Sequence, residues 1–467
     1  RSCLERVAQR APERSRVPDH ERHARAQAPA LIEGDDVLGE ERRRRLELTG
    51  YERDAHPGTV PAHAHLGPGG GATPDATGRE VVLSTARLNR VRAIDTDNDT
   101  ITVEAGCVLQ AVQEAAEAKG RLFPLSLAAE GSCTIGGNLA TNAGGTAVLR
   151  YGNTRELALG LEVVTAEGEI WNGLRGLRKD NTGYDLRDLY VGSEGTLGVI
   201  TAATLKLFPL PVARCTALLA LRSIDDAVDV LSRARAGFGA SLTGYELMAG
   251  DCLQLVAELF PQQRLPFEGE SARSPWFALL ELSDSESEAH ARERFEAVLG
   301  QALEDGVVTD AAIAESVAQS KALWHLRESI PLAEAEVGKS VKHDVSIPIS
   351  SIAGFVHTTN AKLQAGFPGI RNVIFGHLGD GNLHYNVSRT ERLSQDDLLA
   401  LQPRIYEMVH GSVQSYGGSI SAEHGIGQLK VDELPHYKSP IELALMKRIK
   451  HALDPQGLFN PGKVLQA

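Results

Sequence analysis

The sequence predicts an α+β fold in which strands of an antiparallel sheet alternate with amphipathic helices. Alternating apolar residues in Val91–Gly106, around Asp97-Asn98-Asp99, predict a hairpin. Apolar residues at helical spacing in Val108–Lys119, ended by Gly120, predict a helix. The alternation continues further along, with strands predicted at Cys215–Leu221 and Trp276–Leu282 and helices at Ile224–Ala236 and Ser287–Ala302.

Two more strands are predicted in the first half of the chain, at Glu80–Ser84 and Ala203–Phe208. Pro209 and Pro211 follow directly. Because prolines lack the backbone donor that continues a central strand, they predict a domain boundary near residue 210. We therefore expect one domain over residues 67–210 and a second over 211–430, followed by a C-terminal segment over 431–467.

Composition and charge limit the class of protein. The chain has 467 residues, enough for two or three domains, and its 42% apolar and 23% charged residues are ordinary for a globular protein. The net charge of -13 argues against nucleic acid or an anionic membrane as the main partner. No apolar run is long enough to span a membrane. The five cysteines show no C-x-x-C spacing, which predicts a reducing, cytoplasmic compartment.

The N-terminal 66 residues differ from the rest. They are rich in Arg, Ala, His and Pro, include Arg42-Arg43-Arg44-Arg45, contain Tyr51 as the only aromatic residue and contain no Lys. Such a segment has little to bury, so it is predicted to be a disordered basic arm or a loosely packed helix. Acidic residues spread through it argue against a targeting peptide.

A glycine-rich segment, Gly131–Gly145, predicts an anion-binding site. Glycines at this density are entropically costly in a folded chain, so they usually mark a close approach of the backbone to another group. Successive backbone N–H groups form a concavity suited to a pyrophosphate. A flexible surface loop is the alternative.

A second informative segment predicts a metal site with a base beside it. Asp380-Gly381 between two apolar runs is typical of a type I′ hairpin turn, a register that places His377 opposite His384. Asn386 shares the face of His384, because side chains repeat every second residue along a strand. Glu423-His424 later in the chain would add a carboxylate and a second imidazole. Surface histidines beside an ordinary hairpin are the alternative.

Commoner catalytic motifs are absent from the sequence. Gly338-Lys339-Ser340 resembles the end of a P-loop, but Ala333 stands where that motif needs glycine. The sequence contains no H-E-x-x-H and no G-x-S-x-G, and no G-x-G-x-x-G lies between a strand and a helix. NTPase, zinc-protease, serine-hydrolase and NAD-binding functions are therefore disfavoured.

Six motifs occur in the order seen in one family. They are the segments 134–145, 151–154, 192–198, 376–384, 422–427 and 460–463. On these motifs the chain resembles the FAD-dependent D-2-hydroxyacid dehydrogenases of the vanillyl-alcohol oxidase type, and within that family it is most similar to those acting on D-2-hydroxyglutarate. The resemblance covers roughly residues 67–467.

The resemblance implies a fold and a flavin site. Residues 67–210 would form a PCMH-type FAD-binding domain and 211–430 an α+β substrate domain, the cap, with an antiparallel sheet, while the C-terminal tail would return to the flavin domain. The residues implied to bind FAD are Gly70, Gly71, Ser132, Thr134, Gly136, Gly137, Asn138, Thr141, Gly144, Gly145, Gly152, Glu194, Gly195, Gly198, Val199, Ile200 and Asn460.

The resemblance also implies a metal and catalytic groups. His377, His384 and Glu423 would bind a divalent metal, with zinc the expected ion, and two imidazoles with one carboxylate suit an open catalytic site. His424 would be the general base, because the pKa of imidazole lies near operating pH. The substrate would be held by Arg327, Lys342 and Asn386.

The expected activity is oxidation of a D-2-hydroxy acid to the 2-oxo acid, with hydride transfer to FAD. Two cations besides the metal favour a dicarboxylate such as D-2-hydroxyglutarate. An electron-acceptor protein or a quinone would reoxidise the flavin, and a homodimer is left open. The alternatives are a D-lactate dehydrogenase, a glycolate oxidase subunit, or a non-catalytic, flavin-deficient remnant that binds metal. A metal hydrolase is disfavoured because it leaves Gly131–Gly145 unexplained.

One segment departs from the family pattern. Members carry a glycine-rich phosphate loop just before the position of Gly70–Pro74, where this chain has Pro61-Ala-His-Ala-His-Leu-Gly67. Our hypothesis is that residues 1–66 are an out-of-frame translation of a GC-rich gene. Translation of the neighbouring reading frames tests it, and absence of a glycine-rich loop from both would reject it.

Overall fold

The computed structural model describes residues 71, 73–74 and 80–466. The predictions for residues 1–66 and for Gly70 lie outside these residues. The strands are β1 Val91–Asp95, β2 Thr100–Glu104, β3 Arg121–Leu122, β4 Ala158–Val164, β5 Ile170–Asn172, β6 Val199–Lys206, β7 Phe208–Pro209, β8 Ala213–Leu221, β9 Leu242–Ala249, β10 Trp276–Asp284, β11 Val308–Ile313, β12 Asp344–Ser346, β13 Ile370–Gly376 and β14 Asn382–Arg389.

The helices lie mainly in the second half of the chain. They are α1 Leu109–Glu117, α2 Ile135–Thr141, α3 Val148–Tyr151, α4 Thr154–Leu157, α5 Arg187–Tyr190, α6 Ile224–Phe238, α7 Gly250–Leu259, α8 Glu288–Glu304, α9 Val317–Glu328, α10 Ile330–Val337, α11 Ile352–Gly366, α12 Gln395–Ser415, α13 Leu434–Tyr437 and α14 Pro440–Leu453. Among the described helices, none combines the length and apolar character needed to cross a bilayer.

The first sheet has five antiparallel strands in the order β1-β2-β6-β4-β5. The predicted hairpin is confirmed, with Asp99 at its tip in a left-handed conformation (φ 48°). Helix α1 buries Leu109, Val112 and Ala116 in the core beneath this sheet. The predicted amphipathic helix is therefore confirmed as well, because its apolar spacing matches the buried face.

The strand predicted at Glu80–Ser84 is wrong. These residues have no regular secondary structure, and Val81 is 76% and Leu83 62% exposed. An apolar run forms a strand only where a neighbouring strand satisfies its backbone groups, and none of the described strands lies beside this one. The strand predicted at Ala203–Phe208 exists, but β6 begins earlier, at Val199.

The second sheet has seven antiparallel strands in the order β11-β8-β10-β9-β13-β14-β12. Helices α6 and α8 cover one face, and each begins where a serine, Ser223 or Ser287, caps a backbone N–H of the first turn. Helices α7, α9 and α10 cover the other face. The antiparallel sheet predicted for this region is confirmed.

The register predicted for the β13–β14 hairpin is wrong by two residues. Phe375, not His377, pairs with His384, and Val373 pairs with Asn386. The connection is a five-residue turn in which the N–H groups of Gly381 and Asn382 donate to His377 O (3.1 and 3.2 Å). Asp380 does not adopt the positive φ that a type I′ turn requires, whereas Gly381 does (φ 91°).

The C-terminal tail packs against the 192–198 segment, which follows α5, so its predicted return to the first domain is confirmed. Asn460 Nδ2 donates to Glu194 O (2.6 Å), and Lys450 Nζ donates to Thr196 O (2.7 Å). Helix α14, which leads into the tail, starts with a capping box formed by Ser439 and Glu442.

Candidate active site

Three predicted ligands meet at one point. His377 comes from the turn after β13, His384 from β14 and Glu423 from the loop after α12. One ligand atom of each lies within 4.8 Å of the others. Two imidazoles and a carboxylate form a donor set typical of an open catalytic zinc site. The three side chains could therefore hold a divalent metal.

A buried carboxylate that the sequence reasoning missed orients His377. Glu246, on β9, is fully buried and accepts from His377 Nδ1 at 2.6 Å. The other ring nitrogen, Nε2, lies 3.5 Å from Glu423 Oε1. Because the carboxylate fixes the proton on Nδ1, Nε2 is left as the ligand atom, which is the usual carboxylate–histidine–metal arrangement.

The pKa values of the two histidines diverge. Burial alone would lower the pKa of His377, but the charges of Glu246 and Glu423 outweigh it and raise that pKa well above its ordinary value. Burial lowers the pKa of His384 to about 4. His384 is therefore neutral at physiological pH and offers a lone pair, while His377 carries the positive charge that a bound cation would supply.

His424 has a partner that fits a general base. Asp344 Oδ2, at the start of β12, lies 3.1 Å from His424 Nδ1 and also accepts the N–H groups of Glu423 and His424 (2.9 and 3.1 Å). Burial would lower the pKa of His424, but the hydrogen bond and charge of Asp344 raise it. Asn382 Nδ2 in turn holds Asp344 Oδ1 at 2.8 Å. The pair leaves His424 Nε2 free to accept a proton.

Arg327 shares Glu246 with His377. The guanidinium Nε donates to Glu246 Oε2 at 2.8 Å, and its carbon lies 4.9 Å above the ring of Phe375. Only 8% of Arg327 is exposed. Among the described residues, no other hydrogen bond involves the guanidinium, so its terminal nitrogens can serve a bound anion.

The remaining predicted substrate residues differ in their surroundings. Asn386 is buried, accepts from His343 N (3.1 Å) and donates to Glu334 Oε2 (2.9 Å). Lys342 is exposed, and no described residue forms a hydrogen bond or ion pair with it. The structure therefore does not bring Lys342 into contact with the other predicted site residues.

The segments predicted to bind FAD come together. The N–H groups of Gly192 and Glu194 donate to Leu139 O and Ala140 O (2.9 and 2.8 Å), which joins the 192–198 segment to α2. A Cβ on Gly71 would lie 3.4 Å from Glu194 Oε2. Gly71, α2, the 192–198 segment and Asn460 thus form one cradle. The other predicted residues are in these segments or next to them: Ser132, Thr134, Gly136, Gly137, Thr141, Gly144, Gly145, Gly152, Gly195, Gly198 and Val199.

Two predicted FAD residues face the protein interior. Asn138 is buried, with Nδ2 placed 3.6 Å from Cys133 Sγ, and Ile200 belongs to the core of the first sheet. Their side chains support the cradle, and only their backbone remains for a cofactor.

Glu246, Asp344 and Glu334 are buried acids that contact predicted site residues and were not predicted from the sequence. The sequence feature that could have indicated them is an acidic residue among neighbours that are mostly apolar or buried. A charged residue is rarely fully buried unless it is paired. That signal indicates a buried pair but does not name the partner, since each partner comes from a distant segment.

Comparisons with known proteins identify the family and the fold. The family model described as "FAD linked oxidases, C-terminal domain" matches residues 210–464, and "FAD binding domain" matches residues 63–173. Two solved structures share the fold. They are an alkyldihydroxyacetonephosphate synthase (17% identity, TM-score 0.59, 80% of this chain and 66% of that chain) and p-cresol methylhydroxylase (14% identity, TM-score 0.61, 81% and 78%). The predicted PCMH-type fold is confirmed.

The fold and the family matches define an FAD-linked oxidoreductase. D-2-hydroxyglutarate dehydrogenase from Xanthomonas citri pv. viticola is 42% identical over 87% of this chain and 84% of its own length. The mitochondrial enzyme of Bos taurus is 41% identical over 87% and 72%, respectively. The enzyme of Stutzerimonas stutzeri is 36% identical over 87% of both. The chain belongs to the family of FAD-linked D-2-hydroxyglutarate dehydrogenases.

Proposed function

We propose that this chain oxidises D-2-hydroxyglutarate to the 2-oxo acid, with hydride transfer to FAD and with a divalent metal, zinc, at His377, His384 and Glu423. One observation carries the proposal: an imidazole oriented by a buried carboxylate, His424 with Asp344, lies beside this three-residue ligand set. The names of the relatives support the choice of substrate.

The ligand set fits a metal by its chemistry. His377 is held by Glu246 so that Nε2 points toward Glu423, and His384 is neutral because it is buried. A metal held by these residues would lower the pKa of a hydroxyl group and orient an α-hydroxy acid. It would also replace the positive charge that His377 carries between its two carboxylates.

His424 accepts the hydroxyl proton of the substrate. Asp344 holds the proton of Nδ1, so Nε2 is the basic atom, and the same carboxylate stabilises the imidazolium that forms. The bond from Asp344 to the N–H of His424 also fixes where the ring stands relative to Glu423. The base and the third ligand are therefore held by the same carboxylate.

Arg327 and Asn386 hold carboxylate oxygens, and the exposed Lys342 supplies a second positive charge. Arg327 suits this role because its Nε is used by Glu246, while its planar terminal nitrogens remain for a bidentate contact. A second cation favours a substrate with a second carboxylate. D-Lactate and glycolate are the alternative substrates, and they lack that group.

Gly71, α2, the 192–198 segment and Asn460 would hold FAD, which when bound would supply the hydride acceptor for the α-carbon of the substrate. An acceptor protein or a quinone is the proposed partner that would receive the electrons. A cytoplasmic location is part of the proposal; the Bos taurus relative has "mitochondrial" in its name and the Xanthomonas relative does not. The homodimer remains a prediction.

The proposal is tested by dye reduction with a panel of acids. The purified, yellow protein should reduce the dye fastest with D-2-hydroxyglutarate and slowly with D-lactate, glycolate and L-2-hydroxyglutarate. Preference for D-lactate would replace the proposed substrate within the same mechanism. A colourless protein that holds zinc and reduces no dye would instead support the non-catalytic alternative.

A further inference from the structure

The carboxylate of Glu194, in the 192–198 segment, forms hydrogen bonds with the 422–427 loop, which carries His424. Its Oε1 accepts the N–H of Ile426 and its Oε2 accepts the N–H of Gly427, both at 2.7 Å. These two amides follow Glu423 and His424 by only three residues in each case. A charged acceptor bound to two successive backbone donors is among the stronger hydrogen-bond arrangements in proteins.

The backbone conformations of Gly425 and Glu194 accommodate this contact. Gly425 has a φ of 74°, which favours glycine, and a Cβ at this position would lie 2.5 Å from the carboxylate of Glu194 and displace it. Glu194 itself has a positive φ of 53°, which is unfavourable for a residue with a side chain. Such a conformation persists only when its surroundings impose it.

The backbone of Glu194 is also held by hydrogen bonds. Asn460 Nδ2, from the C-terminal tail, donates to Glu194 O at 2.6 Å, while Glu194 N donates to Ala140 O at 2.8 Å. Both sides of the residue are therefore anchored to the FAD cradle, and the side chain alone extends to the 422–427 loop. That loop is also held by Asp344, through the N–H groups of Glu423 and His424, and by the C-terminal tail, where Val464 N donates to Gly427 O at 2.9 Å.

We propose that Glu194 is a positioning residue that fixes His424 and Glu423 relative to the FAD cradle through the amides of Ile426 and Gly427. The inference rests on the proposed function, because the distance between base and cradle matters only if proton and hydride leave the same substrate. The residue joins the two halves of the active site without contacting the substrate. Both oxygens of its carboxylate accept from protein amides.

The test is Glu194→Gln, with Asp284→Asn as the matched control. Glutamine offers one acceptor oxygen, and its amide group then faces a backbone N–H, so one of the two bonds is lost. Asp284 is also a buried carboxylate that accepts a loop amide, from Glu286 at 2.6 Å, but it lies at the end of β10, away from the site. Glu194→Asp, which keeps both oxygens on a shorter side chain, is the second variant.

The rate of hydrogen exchange in the 422–430 peptide of the apoprotein measures whether Glu194 holds this loop, and it does not depend on catalysis. It should speed up in Glu194→Gln, less in Glu194→Asp and not at all in Asp284→Asn. In the holoenzyme, kcat with D-2-hydroxyglutarate should fall about 100-fold in Glu194→Gln with KM changed by less than about threefold, because a displaced base slows the reaction more than it weakens binding.

Two results would overturn the inference. They are unchanged exchange in the 422–430 peptide of Glu194→Gln, and faster exchange accompanied by a kcat within about twofold of the unmodified enzyme. If Glu194→Gln does not fold, Glu194→Asp decides by the same two measurements. An unmodified enzyme that oxidises none of the D-2-hydroxy acids would reject the proposed function, while the exchange result would still decide whether Glu194 holds the loop.

Discussion

Asp344 Oδ2 lies 3.1 Å from Nδ1 of His424 and accepts the backbone N–H of the same residue at the same distance. One carboxylate oxygen therefore sets both the tautomer of the imidazole and the position of its backbone. The pairing of β12 with β14 places Asp344 directly opposite His384. The base, its orienting acid and a predicted metal ligand thus depend on the register of two neighbouring strands.

Replacement of Asp344 by asparagine should lower kcat by at least about 100-fold. If the asparagine oxygen takes the place of Oδ2, it is a neutral and weaker acceptor for Nδ1, and its NH2 group faces the donor Asn382 Nδ2 where Oδ1 accepted, so the ring loses its charged partner and its fixed orientation. The measurement is steady-state dye reduction with D-2-hydroxyglutarate. Asp284→Asn is the control, because Asp284 forms a similar pair with His290 Nδ1 at 2.9 Å, far from the site. Equal losses in both variants would mean that the Asp344 effect is general destabilisation.

Replacement of Glu246 by glutamine should weaken two functions together. The buried guanidinium of Arg327 loses its charged partner, so the free energy of unfolding should fall by about 3 kcal/mol. His377 loses its orienting carboxylate, so zinc affinity should fall by about 10- to 100-fold. Chemical denaturation and zinc titration measure the two effects.

Glu281→Gln is the matched control for Glu246→Gln. Glu281 is a buried acid on the neighbouring strand β10 and accepts from Trp324 Nε1 at 2.8 Å, a bond that glutamine can keep. Its replacement should leave zinc affinity unchanged. A loss of stability in Glu246→Gln without any loss of zinc affinity would contradict the assigned role in orienting His377.

The comparison of sequence and structure separates local from distant relationships. The α1 helix, the β1–β2 hairpin and the strands β8 and β10 follow from apolar periodicity, because their burial is decided within each element. The strand expected at Glu80–Ser84 failed because strand pairing depends on a neighbour. The register of His377 failed because turn geometry depends on backbone dihedrals at Asp380 that residue type alone does not determine.

The candidate site divides in the same way. The segments holding His377, His384 and Glu423 carry recognisable motifs, so the sequence indicated them. The roles of Glu246 and Asp344 depend on hydrogen bonds to residues more than 70 positions away, at His377 and His424. No local pattern encodes such a pairing. The FAD segments are recognisable as motifs in the sequence. The hydrogen bonds from the amides of residues 426 and 427 to Glu194 can be seen only in the folded chain.

Replacement of Lys342 by methionine should change substrate preference rather than the chemical step. Lys342 is exposed and unpaired among the described residues, so its removal should not destabilise the fold. KM for D-2-hydroxyglutarate should rise about tenfold, the effect of one lost charged hydrogen bond, while KM for D-lactate stays unchanged. Steady-state kinetics with both acids measure the split.

Lys339→Met, at another exposed lysine three residues earlier, is the control for Lys342→Met. It should leave both KM values unchanged. If Lys342→Met raises KM for D-lactate as much as for D-2-hydroxyglutarate, Lys342 does not bind the second carboxylate of the substrate. If it raises neither, the lysine has no role in binding.

In the proposed function, the ligand set of His377, His384 and Glu423 and the FAD cradle act on one substrate. The most direct test is the visible flavin spectrum of the purified protein under anaerobic conditions, recorded before and after chelation. D-2-Hydroxyglutarate should bleach the flavin band of the metal-loaded protein, fail to bleach it after the metal is removed, and bleach it again when zinc is restored. Bleaching that proceeds equally in the chelated protein would contradict the account.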